Sequence, residues 1–504
     1  MIVTSISSVT SSPARAREPL AWRGVALIAM AAFAVEMAFS ARYGYVRDEL
    51  YFLTAGQHLA FGYVDQPPLT PLIARLSGHT LVGLRTGPAL GLAFLIVATA
   101  AMSRELGAGR TGQLFAALAA AVCGEYLAAM HELTTTPLDF VGWAVLLLLV
   151  LRLLATEDPR WWLGIGPCVG VASEAKWNIW FLVSALACGL AVSSPRILRS
   201  GGWYLLAGCA IAAALAAPDL IWQAMHGWPN LAVYRSLQGQ AWQNRIQYWP
   251  AQILYTGPVL VPMLILGLTW ILRGHDPVAV RFRPIGIACV IVIVAMFVLG
   301  GKPYYPGGAY TFLYAVGAVT VEARLARGGR SPAVRLASRM VAWGVVASFV
   351  ALPVLPAAAL HTVPMQKINY DLGEEIAWPK QVAQVTSIYD GLPAQVRAHT
   401  TILTGNYGEA GAIERYGPGD GLPEAYSGAN NFWLWGPPPA SDTDAIAVNV
   451  WLPLLRAEFA NVRLVGTFSN GLGVSDDEQG VPIYVATGLK SSWATAWPAF
   501  RKYS

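Results

Sequence analysis

Charge is what this chain has least of. Lys, Arg, Asp and Glu make up 12% of its 504 residues, against roughly 25% in a soluble globular protein. With 55% hydrophobic residues as well, a disordered chain, a coiled coil and an ordinary cytosolic enzyme are excluded. A polytopic membrane protein becomes the first expectation. Paired cysteines are lacking too. Cys123, Cys168, Cys188, Cys209 and Cys289 all fall in apolar runs, without the spacing of a zinc or redox motif, and read as packing residues. Walker, GxGxxG and HExxH signatures are missing, and His58 and His226 stand too isolated to argue a metal site. No cofactor is implied, and a divalent metal has no motif to support it.

What the chain does have is long apolar runs. Windows of roughly 20 residues mark a first span at 24–40, then 81–102, 111–130, 133–151, 161–173, 177–192, 203–222, 251–272, 285–300, 304–320 and 340–360. That is about 11 spans. A cleaved signal peptide would resemble the first, but Glu36 interrupts it and many spans follow. Alternating sides from a cytoplasmic start puts 17 Lys and Arg residues in the inner segments, among them Arg15, Arg17, Arg23, Arg104, Arg281, Arg324 and Arg327. Seven fall in the outer loops. The positive-inside rule supports this orientation, and an odd number of spans leaves the C-terminus outside.

From about His361 the composition changes. Long apolar runs stop, and 14 acidic residues face nine basic ones. β-Branched stretches at 400–403, 445–450, 462–468 and 483–487 alternate with helix-like ones at 374–389 and 454–459. The expected organisation is a cytoplasmic N-tail (1–23), a transmembrane helical module (24–360) with a long first outer loop (41–80), and a small extracytoplasmic α/β domain (361–504).

Unusual residues gather on the outer side. The first loop carries Arg47-Asp48-Glu49 and, further on, Asp65-Gln66-Pro67-Pro68. Two carboxylates just after a membrane exit can meet both a lipid-borne substrate and water-soluble groups. The plainer reading is that Asp48 caps a helix beginning at Glu49, with Glu49 favouring its dipole. Lys176 and Lys302 lie between apolar spans on the side that basic residues avoid. Each invites an anion such as phosphate, or else snorkels to the headgroups beside aromatic neighbours such as Tyr304 and Tyr305. Glu36, Arg85, Asp139 and Asp219 are ionisable groups inside spans. They keep a transporter reading open, although no pair of interrupted segments recurs in two halves.

At Arg47-Asp48-Glu49-Leu50-Tyr51 and Tyr63-Val64-Asp65-Gln66-Pro67-Pro68-Leu69 the sequence resembles membrane glycosyltransferases of the family 39 type. These are the protein mannosyltransferase and aminoarabinose transferase relatives of the GT-C superfamily. The likeness continues at Ala175-Lys176-Trp177, Asp219-Leu220-Ile221-Trp222-Gln223, His226-Gly227-Trp228-Pro229 and Gly301-Lys302-Pro303-Tyr304-Tyr305-Pro306. In the tail it touches Asn406-Tyr407-Gly408-Glu409 and Phe432-Trp433-Leu434-Trp435. The resemblance implies inverting transfer of a sugar from a polyprenyl-phosphate carrier to a glycan, lipid or protein acceptor, at the outer face of a bacterial inner membrane. It implies Asp48 as general base with Glu49 beside it. Lys302 is the first choice to hold the phosphate, with Lys176 and Arg47 after it, and Asp65, Gln66, His226, Tyr304 and Tyr305 complete the substrate-binding set. Gln66 departs from the lysine that aminoarabinose transferases have before Pro-Pro, which leaves the acceptor open. A lipid-linked glycan flippase, or a non-catalytic receptor, is the alternative.

Overall fold

The computed structural model describes residues 18–327, 330–363 and 365–503. Arg15 and Arg17 of the expected N-tail lie outside them. The membrane-like part is helical throughout: α1 (Trp22–Phe39), α2 (Arg47–Gln57), α3 (Leu69–Leu76), α4 (Leu81–Glu105), α5 (Arg110–Ala121), α6 (Gly124–Ala129), α7 (Thr135–Thr156), α8 (Trp162–Ser173), α9 (Ile179–Ser193), α10 (Pro195–Met225), α11 (Pro229–Gln238), α12 (Ala241–Thr256), α13 (Val261–Arg273), α14 (Pro277–Leu299), α15 (Tyr310–Leu325) and α16 (Arg330–Ala351). Every apolar run read from the sequence lands on one or two of these helices. Among the described residues, six are long and apolar enough to cross a bilayer alone, and α12 with α13 makes a seventh only as a bent pair. The expected count of about 11 is therefore reduced to six or seven by this measure.

The reasons are local. The 111–130 run breaks between α5 and α6, and α8 and α9 are only 12 and 15 residues long. The 251–272 run is no straight crossing, because α12 and α13 meet at 101°. Gly257 takes a left-handed φ of +96° at that bend, and Pro258 follows, so neither residue can carry the helix on. Gly202, at φ +47°, likewise kinks α10 just where the 203–222 run begins.

Helix contacts in lipid favour small residues, since lipid tails compete with any apolar side chain. Gly166 of α8 lies against Gly208 of α10, and Gly267 of α13 against Gly317 of α15. A Cβ on Gly267 would come within 2.5 Å of the Gly317 nitrogen. One large buried core takes in residues of α1, α4, α5, α7, α8, α9, α13, α14 and α15.

Downstream lie α17 (Asp371–Glu374), α18 (Trp378–Asp390), α19 (Ala394–Arg397), β1 (Thr400–Thr404), α20 (Tyr407–Tyr416), β2 (Ala425–Ser427), β3 (Asp444–Val448), β4 (Phe459–Thr467) and β5 (Pro482–Leu489). The sheet order is β2-β1-β3-β5-β4. β1 is parallel to β2 and β3, while β5 runs antiparallel to β3 and β4. The expected 374–389 helix is broken before α18 by Ala377, at φ +73°. β2, three residues long, left no alternation to read.

The sheet unit does not sit apart from the first loop. Leu50, Tyr51 and Leu53 of α2 share a core with Trp378, Ala410, Ile413 and Phe432. Trp378 Nε1 donates to Tyr45 O at 2.9 Å, and Val64 N donates to Asn431 Oδ1 at 2.6 Å. Gly411 is needed here, because a Cβ would meet the Leu50 backbone at 2.8 Å. α20 is thereby pressed directly onto the helix that carries Asp48 and Glu49.

Candidate active site

The first turn of α2 sets the site. Residues adjacent on a helix point about 100° apart, so Asp48 and Glu49 face different surroundings. Glu49 turns into the bundle and is fully buried. Its Oε2 accepts from Val46 N at 3.1 Å and its Oε1 from Leu133 N at 3.1 Å. Arg85 grips both oxygens, with Nε at 3.0 Å and Nη2 at 2.9 Å. The helix end is thus closed by Glu49, not by Asp48 as the capping reading expected. Both Glu49 oxygens are thus engaged within the bundle, and Glu49 does not line the cavity that Asp48 faces. It positions α2.

Arg85 extends that support to the first span. Its Nη1 donates to Ser40 O at 3.1 Å and faces His131 Nε2 at 3.1 Å. A guanidinium only donates, so this ring nitrogen accepts and Nδ1 donates to Glu36, 3.0 Å away. Burial and the Arg85 charge hold His131 well below its usual titration range. Two of the intramembrane ionisable residues noted in the sequence therefore serve as an anchor.

Asp48 faces the other way, into a cavity of about 430 Å³. Arg47, Lys302 and Tyr304 line the same cavity, as do Glu125, Glu132 and Asp371. Four expected site residues from distant stretches thus meet at one place. Tyr407 Oη donates to Asp48 Oδ1 at 2.9 Å. Arg47 is held by the tail: Nη1 lies 2.7 Å from Asp477 Oδ2 and 3.9 Å from Glu374 Oε2. Among the described residues Lys302 has no ion-pair partner. Its Nζ lies 5.8 Å from the centre of the Tyr304 ring, a cation–π distance.

Lys176 stands one layer behind. Its Nζ donates to Thr136 Oγ1 at 3.1 Å and lies 5.4 and 5.0 Å from the Tyr304 and Tyr305 ring centres. The Tyr304 ring therefore has two ammonium groups within 6 Å of its centre. Burial, with the neighbouring Lys302 charge opposing a second cation, brings Lys176 down to about 8. Asp371, from the tail, is pushed up to about 6 by burial and by the Asp48 charge. Burial also raises Glu132, which faces Asp371, Glu375 and Glu49.

Other expected residues lie elsewhere. Asp65 accepts from Tyr51 Oη at 2.8 Å and does not line the cavity; burial drives it up to about 7 despite that bond. Gln66 is buried with its Nε2 unpartnered. His226 is exposed and stacks on Trp222 at 3.9 Å, away from the cavity wall. Glu125, Asp371, Tyr255 and Tyr370 also line the cavity and are not among the residues singled out by the sequence, where only Glu125 has a legible signal, as an acid inside an apolar run; Tyr407 lies in the tail stretch that carries the resemblance, which gives it no role. Among the described residues no three His, Cys, Asp or Glu side chains converge as metal ligands.

One wall of the cavity is apolar, formed by Ala128 and Ala129 of α6, Leu254 of α12, and Trp343, Ala347 and Val350 of α16. The arrangement can therefore take an amphiphile, with a carboxylate and a free ammonium at one end and lipid-like surface at the other.

Residues 65–222 match the model of the dolichyl-phosphate-mannose-protein mannosyltransferase family. No curated protein matches the chain. Among solved structures it is similar to ArnT from Cupriavidus metallidurans bound to undecaprenyl phosphate, at 14% identity and a TM-score of 0.55, covering 92% of this chain and 97% of that one. The apo form of that ArnT matches equally, at 14% identity and 0.55, over 93% and 98%. The resemblance read from the sequence, to GT-C glycosyltransferases of this kind, is borne out.

Proposed function

We propose that this chain is an inverting glycosyltransferase that moves a sugar from a polyprenyl-phosphate carrier to an acceptor at the outer face of a bacterial inner membrane, with the 361–504 unit in the periplasm. The observation that carries this reading is that Asp48 and the unpaired Lys302 line one cavity with an apolar wall. A structural relative holds undecaprenyl phosphate, and a donor of that class suits such a cavity.

In this reading Asp48 accepts the proton of the acceptor hydroxyl as that oxygen attacks the anomeric carbon. The bond from that carbon to the phosphate oxygen breaks on the opposite side, and the polyprenyl phosphate departs with the electron pair. Phosphate is already a good leaving group, so no strong general acid is required. The need is for cations that meet the charge as it develops. Lys302 supplies one at the cavity wall. Lys176 supplies a second from behind the Tyr304 and Tyr305 rings, and Arg47, being held by Asp477, contributes less. Asp65, Gln66 and His226 keep no direct part in this step.

The test is reconstitution in vesicles containing a polyprenyl-phosphate-linked sugar and an acceptor extract. Release of free polyprenyl phosphate, matched by glycosylated acceptor, is the expected result. Movement of unaltered lipid-linked sugar across the bilayer would favour a flippase instead.

A further inference from the structure

A second, larger cavity of about 930 Å³ lies among the ends of α4, α13, α14 and α15. α4 runs from Arg85, behind the Asp48 site, to Glu105 on this second cavity. At 1.5 Å per residue that is about 30 Å, the thickness of a bilayer core. α14 repeats the relation in reverse, starting at the second cavity with Pro277 and ending just before Lys302. The two cavities therefore open at opposite membrane surfaces. The second lies on the side where the sequence concentrates its basic residues, the cytoplasmic side by the positive-inside rule.

Its lining pairs two chemistries. Trp270, Phe282 and Val319 give it buried or half-buried apolar surface, while Arg281, Arg324 and Arg327 are exposed. Among the described residues none of these three arginines has an ion-pair partner. The carboxylates nearby are engaged. Asp276 caps α14 by accepting from Val278 N and Ala279 N, and Glu105 pairs with Arg104 and Arg152. Arg283, by contrast, is spent on the carbonyls of Ile271 and Gly274, which fixes the loop after α13. Three guanidinium groups without an ion pair among the described residues, beside apolar side chains in a crevice between helices, match a phosphate that carries acyl chains.

We propose that this crevice binds an anionic phospholipid of the cytoplasmic leaflet through its headgroup phosphate. The site is separate from the Asp48 cavity and owes nothing to the transfer reaction.

The experiment uses the full chain in detergent, titrated with phosphatidylglycerol, phosphatidylcholine or inorganic phosphate, with bound lipid counted by native mass spectrometry. Wild type retains phosphatidylglycerol in preference to phosphatidylcholine. The triple variant Arg281→Ala, Arg324→Ala, Arg327→Ala binds phosphatidylglycerol roughly 100-fold more weakly, three basic residues' worth of headgroup attraction. The triple Arg→Lys variant retains the preference, and so does Lys302→Ala, which alters only the other cavity. As a check free of charge changes, a photoreactive amino acid replacing the exposed Thr269 on the cavity wall should capture phosphatidylglycerol over phosphatidylcholine. Equal retention by the triple Ala variant, equal capture of the two lipids, or displacement of phosphatidylglycerol by inorganic phosphate would each overturn the proposal.

Discussion

Tyr407 Oη donates a 2.9 Å hydrogen bond to Asp48 Oδ1 across 359 positions of sequence. The acid nearest the proposed reaction is thus held by a residue of the tail, and the sheet unit is part of the site rather than an appendage to it. Tyr407→Phe removes the hydroxyl and keeps the ring against Tyr51, 5.0 Å away. Losing one aligned hydrogen bond of about 1.5 kcal/mol should lower kcat about tenfold and leave the KM for donor nearly unchanged. Steady-state kinetics of the purified variant would show it, and a KM effect without a kcat effect would contradict the role.

Lys302 lines the cavity and, among the described residues, has no ion-pair partner. Lys302→Ala should weaken donor binding by about 2 kcal/mol, the value of a hydrogen bond to a charged group, or roughly 30-fold. Binding of a polyprenyl phosphate, followed by tryptophan fluorescence, reads this directly. An unchanged affinity would remove Lys302 from the donor site.

Lys176 titrates at about 8, within reach of ordinary assay conditions. Its charge is present below that pH and lost above it, so transfer that depends on the charge should fall as pH rises through 8. In Lys176→Arg the charge persists at all accessible pH, and the alkaline fall should disappear. A pH–rate profile of both proteins is the check, and superimposable alkaline limbs would exclude Lys176 from the reaction.

Glu49 and Arg85 form a fully buried pair. Truncating one partner of such a pair leaves the other charged and buried, typically at a cost of about 3–5 kcal/mol, and Glu375, 3.6 Å from Arg85, keeps this cost at the lower end, about 3 kcal/mol. Glu49→Ala should therefore unfold at a markedly lower temperature or fail to accumulate, whereas Asp48→Asn should fold normally. Thermal unfolding in detergent separates them, and equal stability would refute the structural role given to Glu49.

Much of this was legible in advance, and the misses have physical causes. Hydropathy finds where apolar helix lies, but it is blind to whether a run is straight; Gly257-Pro258 and Gly202 turn two runs aside. A doublet such as Asp48-Glu49 announces carboxylates without saying which way each faces. That is decided by Arg85 and Leu133, whose positions the linear sequence does not give. Lys302 is conspicuous because a lysine between apolar spans is costly, and Tyr304 comes with it in the Lys302-Pro303-Tyr304-Tyr305 stretch that carries the resemblance. Asp371 has no such signal, and Tyr407 stands in a resembling stretch without a role, since an acid or a tyrosine in a polar tail is ordinary until the tail docks on α2. His226 was the converse case, a conspicuous residue that the fold leaves stacked on Trp222 and exposed.

The most direct test of the account is single-turnover transfer by Asp48→Asn with a radiolabelled polyprenyl-phosphate sugar, alongside its affinity for that donor. Removal of a general base typically lowers the chemical step by about 100- to 10,000-fold. A loss of that size with donor affinity intact is what the account predicts. Transfer at the wild-type rate by a folded, donor-binding Asp48→Asn protein would contradict it.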